Sequence, residues 1–455
     1  MGQAVILDPY QPYARLLIER LYRNHGVQTI CLHSDWRRRL LLEGRHRILR
    51  SDAVAAHYML DDLDWAAVAR GLLRRHNVVG VLPFEEGLVL PMIALAEELD
   101  LSWSQPDVQR AFRDRCSLKQ LVAQRDSTVR LNAFTTVTDM HQVIDFVQAR
   151  SIDRYVLKPN AGSGNQEVQF FDHASPRSDI VNYLANVRGV VLLEEFISGP
   201  EFFVNGQMDE SSNPTVVGVG VYYREHANGV QNLQVGTASL SPDDPRYQSL
   251  AAYADAVMRA TGLRRSPFHL EAIIDQKGPC LVEVAARFCG ELGTLRDQWR
   301  QGPDVDLIDV AAHYYVSDRA LGPLPLDPAR ERRVWTASVT GASDFSQRLI
   351  SVEGTQELQS DPHFLFWVKK PAPGDHVDHT TNLTTRPWSV VLKGRHDEAP
   401  LPLIQYARGL IRMQGTAEMP WNPGQRCAMY QGVASKAWSS RPRPYELKAL
   451  LRPLK

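Results

Sequence analysis

"HLEAIIDQKGPCLVEVAARFCGE", residues 269–291, places Glu271, Glu283 and Arg287 in two otherwise apolar, strand-like runs joined by the turn DQKGP. The runs can fold back on each other, which brings the two glutamates side by side. Carboxylates so placed repel, and a buried charge without a partner is costly. A cation between them resolves both problems. Two hard carboxylate oxygens, completed by phosphate oxygens, are a usual way to hold Mg2+, with Mn2+ as the alternative ion. Arg287, four residues after Glu283, offers a planar fork to phosphoryl or carboxylate oxygens. A cross-strand Glu–Arg bridge is the competing account, and it leaves the second glutamate without a partner.

Two earlier stretches suit the same chemistry. In "LKPNAGSGNQEV" (157–168), Lys158 ends a strand directly before a loop with Gly162, Ser163 and Gly164. Glycines let backbone N–H groups close around phosphate oxygens, and the lysine adds a point charge. The chain has no GxxxxGK[ST], and 162–167 lacks the last glycine of GxGxxG, so the loop also reads as an ordinary hairpin turn beside a surface lysine. "LLEEFISGPEFFVN" (192–205) carries Glu194, Glu195 and Glu201. A strand leaving its sheet can offer free backbone groups to a base edge, and a carboxylate on the next segment suits sugar hydroxyls. A solvated acidic strand end is the other reading.

The chain has 455 residues, 44% hydrophobic and 23% charged. That is ordinary composition for a globular protein of two to four domains or subdomains. With 51 Lys plus Arg against 52 Asp plus Glu, the net charge of −1 gives no electrostatic case for nucleic acid or an anionic membrane. Cysteines 31, 116, 280, 289 and 427 are scattered and lack CxxC spacing, which favours reduced thiols in a cytoplasmic protein. No signal peptide and no run of 18 apolar residues is visible.

Residues 4–10, 27–34 and 78–84 read as parallel strands, alternating with helices over 13–26, 63–77 and 87–101. This rhythm predicts a small α/β domain with a covered parallel sheet. Its first strand–helix turn, DPYQPYA, has none of the glycines of a dinucleotide site. Beyond it come a single helix over 107–125, a hairpin with a glycine-rich tip, further strand pairs, a helix over 249–262, short strands such as "RRVWTASVTG", and a last helix over 401–415.

The helix with "RDRCSLK", then "VLKPNAGSG", "LLEEFISGPE" and "FHLEAIIDQKGPCLVEVAAR", in this order, resemble the ATP-grasp superfamily, most closely its L-amino acid (dipeptide-forming) ligases. "ILDPYQPYARLLIERLYRNHG" and "VVGVLPFEEGLVLPMIALAEELDL" resemble that subfamily's N-terminal domain, and "PAPGDHVDHTTNLTTRPWSVVLKG" its C-terminal domain. The resemblance implies an α/β chain, α+β in its central part, with the ATP-grasp fold. Its parts would be an N-terminal parallel-sheet domain (1–105), a small subdomain with a glycine-rich lid loop (106–190), a large subdomain with the nucleotide and substrate site (191–320), and a C-terminal α+β domain with tail (321–455).

Carried over by position, the resemblance implies that Lys158 contacts the α/β-phosphates of ATP under the loop of Gly162, Ser163 and Gly164. Glu194, Glu195 and the backbone at Ile197 would hold adenine, and Glu201 the ribose. Glu271 and Glu283 would bind Mg2+, and Arg287 would steady the transferred phosphoryl group. The superfamily's first nucleotide lysine falls on Arg115, with Lys119 one turn further on, so either residue can serve. Asn commonly follows the second metal glutamate by two residues; here Ala285 does. His269 is a core histidine or a minor substrate contact. Glu85, Glu86, Gly290 and Glu291 are substrate candidates, with Glu291 equally readable as a solvated loop glutamate.

The implied activity is ATP-dependent joining of an amino-acid-type carboxylate to an amine through an acyl phosphate, releasing ADP and phosphate. The expected partners are therefore small-molecule carboxylate and amine substrates, with a homodimer as the usual assembly. A ligase loading a carrier-protein or peptide amine is one alternative, and a non-catalytic ATP-binding regulatory protein is another.

Overall fold

A computed structural model describes residues 1–9, 12–34, 51–60, 64–83, 86–101, 105–162, 167–290, 307–317, 334–416 and 451–453. The chain opens with β1 (Gln3–Leu7), α1 (Pro12–His25), β2 (Gln28–Ser34), β3 (Val54–Leu60), α2 (Trp65–Leu73), β4 (Val78–Val81) and α3 (Val89–Glu98). Strands β3, β2, β1 and β4 lie side by side in parallel; β1, β2 and β4 follow the alternating pattern, and β3 is a strand that the pattern did not include. Helix α1 buries Ala14, Leu17, Ile18 and Leu21, the 3.6-residue stripe of an amphipathic helix. Gly26, at φ 62°, ends it.

The single helix expected over 107–125 is two, α4 (Pro106–Phe112) and α5 (Arg115–Arg125). Asp114 adopts an extended conformation between them and accepts from the Ser117 amide at 2.7 Å. That N-cap competes successfully with helix continuation. A four-stranded antiparallel sheet follows, built from β5 (Phe134–Val137), α6 (Met140–Ala149), β6 (Arg154–Pro159), β7 (Gln169–Asp172), α7 (Arg177–Asn186) and β8 (Val191–Glu195), in the order β5-β8-β6-β7. It has its own core around Leu157, Leu193 and Phe146.

The largest sheet contains β9 (Glu201–Met208), β10 (Pro214–Ala227) and β11 (Val230–Ser239), then α8 (Pro245–Thr261), then β12 (Pro267–Asp275) and β13 (Gly278–Ala285). After α9 (Leu307–Val316) it is extended by β14 (Val334–Thr340), β16 (Phe364–Lys369) and β18 (Ser389–Arg395). Its order is β13-β12-β9-β10-β11-β14-β18-β16. Trp335, Trp388 and Leu392, all beyond residue 320, share one buried cluster with Phe202, Val219 and Leu270. The sheet and its core therefore run across the boundary expected near 320.

A small sheet of β15 (Gln347–Glu353), β17 (His376–Val377) and β19 (Arg412–Gly415) flanks this assembly, with α10 (Thr355–Ser360) and α11 (Pro400–Leu410). The last helix stops at Leu410, and the residues expected to continue it form β19 against β15. Two late segments return to the N-terminal sheet. β20 (Leu451–Pro453) pairs antiparallel with β3. Ile308, Ala311, Ala312 and Tyr315 of α9 belong to the N-terminal core. A Cβ at Gly80 would lie 2.1 Å from the Tyr315 carbonyl oxygen, so this docking needs glycine. Cys31, Cys116, Cys280 and Cys289 form no disulfide. Among the described residues no helix is long and apolar enough to cross a membrane.

Candidate active site

A cleft of about 1490 Å³ opens where the small and large sheets meet. The hairpin β12–β13 forms its floor and pairs Glu271 directly with Glu283, so both carboxylates leave the same face. Glu271 Oε1 accepts from the Tyr222 hydroxyl at 2.7 Å and lies 3.3 Å from His269 Nε2. His269 in turn meets Asn205 Oδ1 at 2.8 Å. Burial raises the Glu271 carboxyl, but His269 and the charge of Arg224 outweigh it and hold the group at about 2. Glu283 Oε2 accepts from Arg115 Nε at 2.7 Å and Nη2 at 2.6 Å.

Among the described residues, Glu271 Oε2 and Glu283 Oε1 have no hydrogen-bond partner. Two adjacent hard oxygens thus remain for a cation. Among the described residues no group of three or more His, Cys, Asp and Glu could hold a metal ion. Two adjacent carboxylate oxygens fit Mg2+ that would complete its sphere with phosphates and water. Ala285 stands opposite His269 and adds no ligand.

One end of the cleft holds three charges around Glu194. Its carboxylate is only 4% exposed and pairs with Lys158 at 2.5 Å and with Lys119. Burial pushes this carboxyl up, yet the two ammonium groups hold it at about 2. The Lys119 ammonium is drawn below its ordinary range by burial, against the pull of Glu194. Two lysines share one carboxylate, which leaves it one negative charge to set against two ammonium groups. Glu194 was expected beside adenine; its oxygens are instead committed to the lysines.

Arg115 and Lys119 divide what was expected of one residue. Arg115 sits at the start of α5 because Asp114 caps there. It also donates to the carbonyls of Pro159 at 2.9 Å and Gly162 at 3.0 Å. It thereby ties Glu283 to the glycine loop.

Glu195 accepts from the Ala133 amide at 3.2 Å, and its carbonyl accepts from Asn132 Nδ2 at 2.9 Å. Ile197 follows in the crossover to β9, with no backbone partner among the described residues. A Cβ on neighbouring Gly199 would lie 2.0 Å from the Ile274 carbonyl oxygen, so the crossover hugs β12. Phe196 is covered by the Arg154 guanidinium at 4.0 Å. Glu201 binds Arg224 through both oxygens, at 2.6 and 2.7 Å. Arg287 lines the cleft, with Nη1 on the Phe288 carbonyl at 2.6 Å.

Gly162, Gly290 and Gly87 also line the cleft. Ser163, Gly164, Glu85 and Glu291 lie outside the described residues, as does the side chain of Glu86. Sequence reasoning missed Tyr222 and Arg224. Their spacing of two on β10 points both at the β9–β12 glutamates, a signal that "VYYREHA" carried. It also missed Asn132 and the C-terminal residues Lys369 and Arg386 on the wall.

Residues 155–295, which hold Glu194, Glu195, Glu201, Glu271 and Glu283, match the family model described as the ATP-grasp domain. The match covers 141 of the 455 residues. Dapdiamide A synthase of Enterobacter agglomerans is 23% identical over 239 residues, 48% of this chain and 52% of that protein. The chain thus spans about half the length of this curated relative. The crystal structure of an L-amino acid ligase from Bacillus licheniformis superposes with a TM-score of 0.70 at 14% identity, covering 91% of this chain and 98% of that one. The biotin carboxylase domain of a Hydrogenobacter thermophilus 2-oxoglutarate carboxylase, solved with MgADP, gives 0.63 at 14% identity and 90% coverage of each chain. The ATP-grasp fold, with its parallel-sheet N-terminal domain, is as the sequence motifs implied.

Proposed function

We propose that the protein is an ATP-dependent carboxylate–amine ligase that takes an amino-acid-type acid, forms a C–N bond, and releases ADP and phosphate. The observation that carries this reading is the Glu271–Glu283 pair, each with one open oxygen, beside Arg115, Arg287, Lys158 and Glu194 in one cleft, with Lys119 buried against Glu194. The ATP-grasp domain and the likeness to amino acid ligases agree with it.

The Ile197 peptide offers its N–H and C=O to the adenine edge, beside Glu195. Glu201, held by Arg224, faces the ribose hydroxyls. Lys158 attracts the α/β-phosphates under the loop that begins at Gly162. Glu271 and Glu283 would hold Mg2+, which would supply charge neutralisation at the phosphates. The substrate carboxylate attacks the γ-phosphorus and the bond to ADP breaks, leaving an acyl phosphate. An amine nitrogen then attacks the acyl carbon, phosphate leaves with the C–O electrons, and the nitrogen loses its proton. Arg287 stabilises the oxyanion between these two events. His269 keeps Glu271 ionised and oriented.

The test is phosphate release from MgATP over amino acids supplied singly and in all pairs, with mass spectrometry of the products. The reading expects release that needs a particular pair, and a product lighter than the pair by one water. Bound ATP with no amine-dependent release under any pair would overturn it.

A further inference from the structure

The cleft extends well beyond the nucleotide end. β13, which carries Glu283, and β16 are the two outermost strands of the eight-stranded sheet, yet residues of both line the same cleft. The far wall is C-terminal. Lys369 ends β16, and Arg386 follows the one-turn helix Leu383–Thr385. Lys369 Nζ donates to the Arg386 carbonyl at 2.8 Å, which fixes the ammonium near a second cation.

Among the described residues Lys369 forms no ion pair. Lys369 is exposed on the cleft wall, and desolvation by the surrounding wall and the Arg386 charge draw its pKa down, against a weaker pull from Asp375 and Asp378. Two cations on one cleft wall make the local potential more positive, which favours an anion there.

The wall is preorganised. Asn228, at the β10–β11 turn, donates to the carbonyls of Ser343 and Thr380 at 2.8 and 2.9 Å. The Ser343 amide donates to the buried Thr380 hydroxyl at 2.9 Å. Asn382 caps the short helix through a reciprocal capping box. Each bond holds the Lys369–Arg386 segment in place before any ligand arrives, which lowers the ordering cost of binding.

Resting on the ligase reading above, we propose that Lys369 and Arg386 form an anion subsite for the carboxylate or phosphate carried by the second, amine-bearing substrate. Arg115, Arg287 and the Lys119–Glu194–Lys158 cluster serve the nucleotide and the reacting carboxylate at the opposite edge of the sheet. The C-terminal pair is left to hold the other substrate by its anionic end, with the amine directed toward the acyl carbon. An uncharged amine makes no use of this wall.

The experiment is calorimetric titration with malonate and with inorganic phosphate, both with saturating Mg2+ and AMP-PNP and without nucleotide. Wild-type protein binds one or both anions, and the tighter one names the substrate's anionic group. Lys369→Met and Arg386→Gln each weaken binding about ten-fold or more, the loss expected for a hydrogen bond to a charged group. Lys369→Arg retains it, and AMP-PNP affinity is unchanged throughout. Anion binding that is absent from the wild type, or equal in the wild type and Lys369→Met, overturns the proposal. Failure of AMP-PNP to bind sinks the ligase reading instead, and the nucleotide-free titration then still decides the subsite.

Discussion

Glu194 is the residue on which most of the site's charge balance turns. Replacing it by Gln leaves Lys119 and Lys158 facing each other in a site that solvent barely reaches. Removing one member of a buried charged group costs about 3–5 kcal/mol. Urea denaturation of Glu194→Gln should show a loss in that range, and a loss below about 1 kcal/mol would contradict the geometry. Acid titration adds a second check. Glu194 and Glu271 titrate at about 2 in the folded protein, below the ordinary carboxylate, so their contribution is present above about pH 4.5 and fades as pH falls toward 2.

His33 acts in a different window. Burial and His57 hold it near 3, so the unfolded chain takes up this proton first as pH drops below 6.5. Stability should therefore fall by about 1.4 kcal/mol per pH unit between pH 6 and 5 from this group, and His33→Gln should flatten that slope. An unchanged slope would place the titration elsewhere.

Among the elements, the break between α4 and α5 does the most for function, because it puts Arg115 at a helix start facing Glu283. Asp114→Ala should cost about 1 kcal/mol through loss of the cap, with a further loss of ATP affinity, while Asp114→Asn should largely restore both. Equal ATP affinity in wild type and Asp114→Ala would separate the cap from the site. The break was readable in "DRCS", but a continuous amphipathic pattern obscured it. Likewise 411–415 carry a helix-like pattern, and only their pairing with β15 makes them a strand. The Glu271–Glu283 hairpin was legible because both its turn and its charges are local. Lys119 was not separable from Arg115, since the choice depends on Glu194, 75 residues away.

Across the whole molecule, the order of motifs revealed the fold, while closure of the domains did not show in the sequence. Nothing local says that α9 and β20 complete the N-terminal sheet, or that β14, β16 and β18 extend the central one. The joins to the earlier strands span 103 residues from Gly236 to Val339 and 391 from Leu60 to Leu451, and their apolar patterns would fit any sheet. One core spans both sides of residue 320, with Trp335, Val339 and Leu392 packed among Phe202, Val219 and Ala238. A chain ended after residue 320 should consequently lose its cooperative unfolding transition in urea. A sharp transition in that truncated chain would show that the C-terminal strands are an addition to an independently stable core.

The central claim is that a carboxylate is activated by phosphoryl transfer in this cleft before an amine takes it. Single-turnover reaction of a carboxylate-18O-labelled amino acid, with the amine substrate and MgATP, tests it most directly. The account predicts that one 18O atom per turnover appears in inorganic phosphate, with ADP as the nucleotide product. Phosphate without label, or label in AMP, would contradict it.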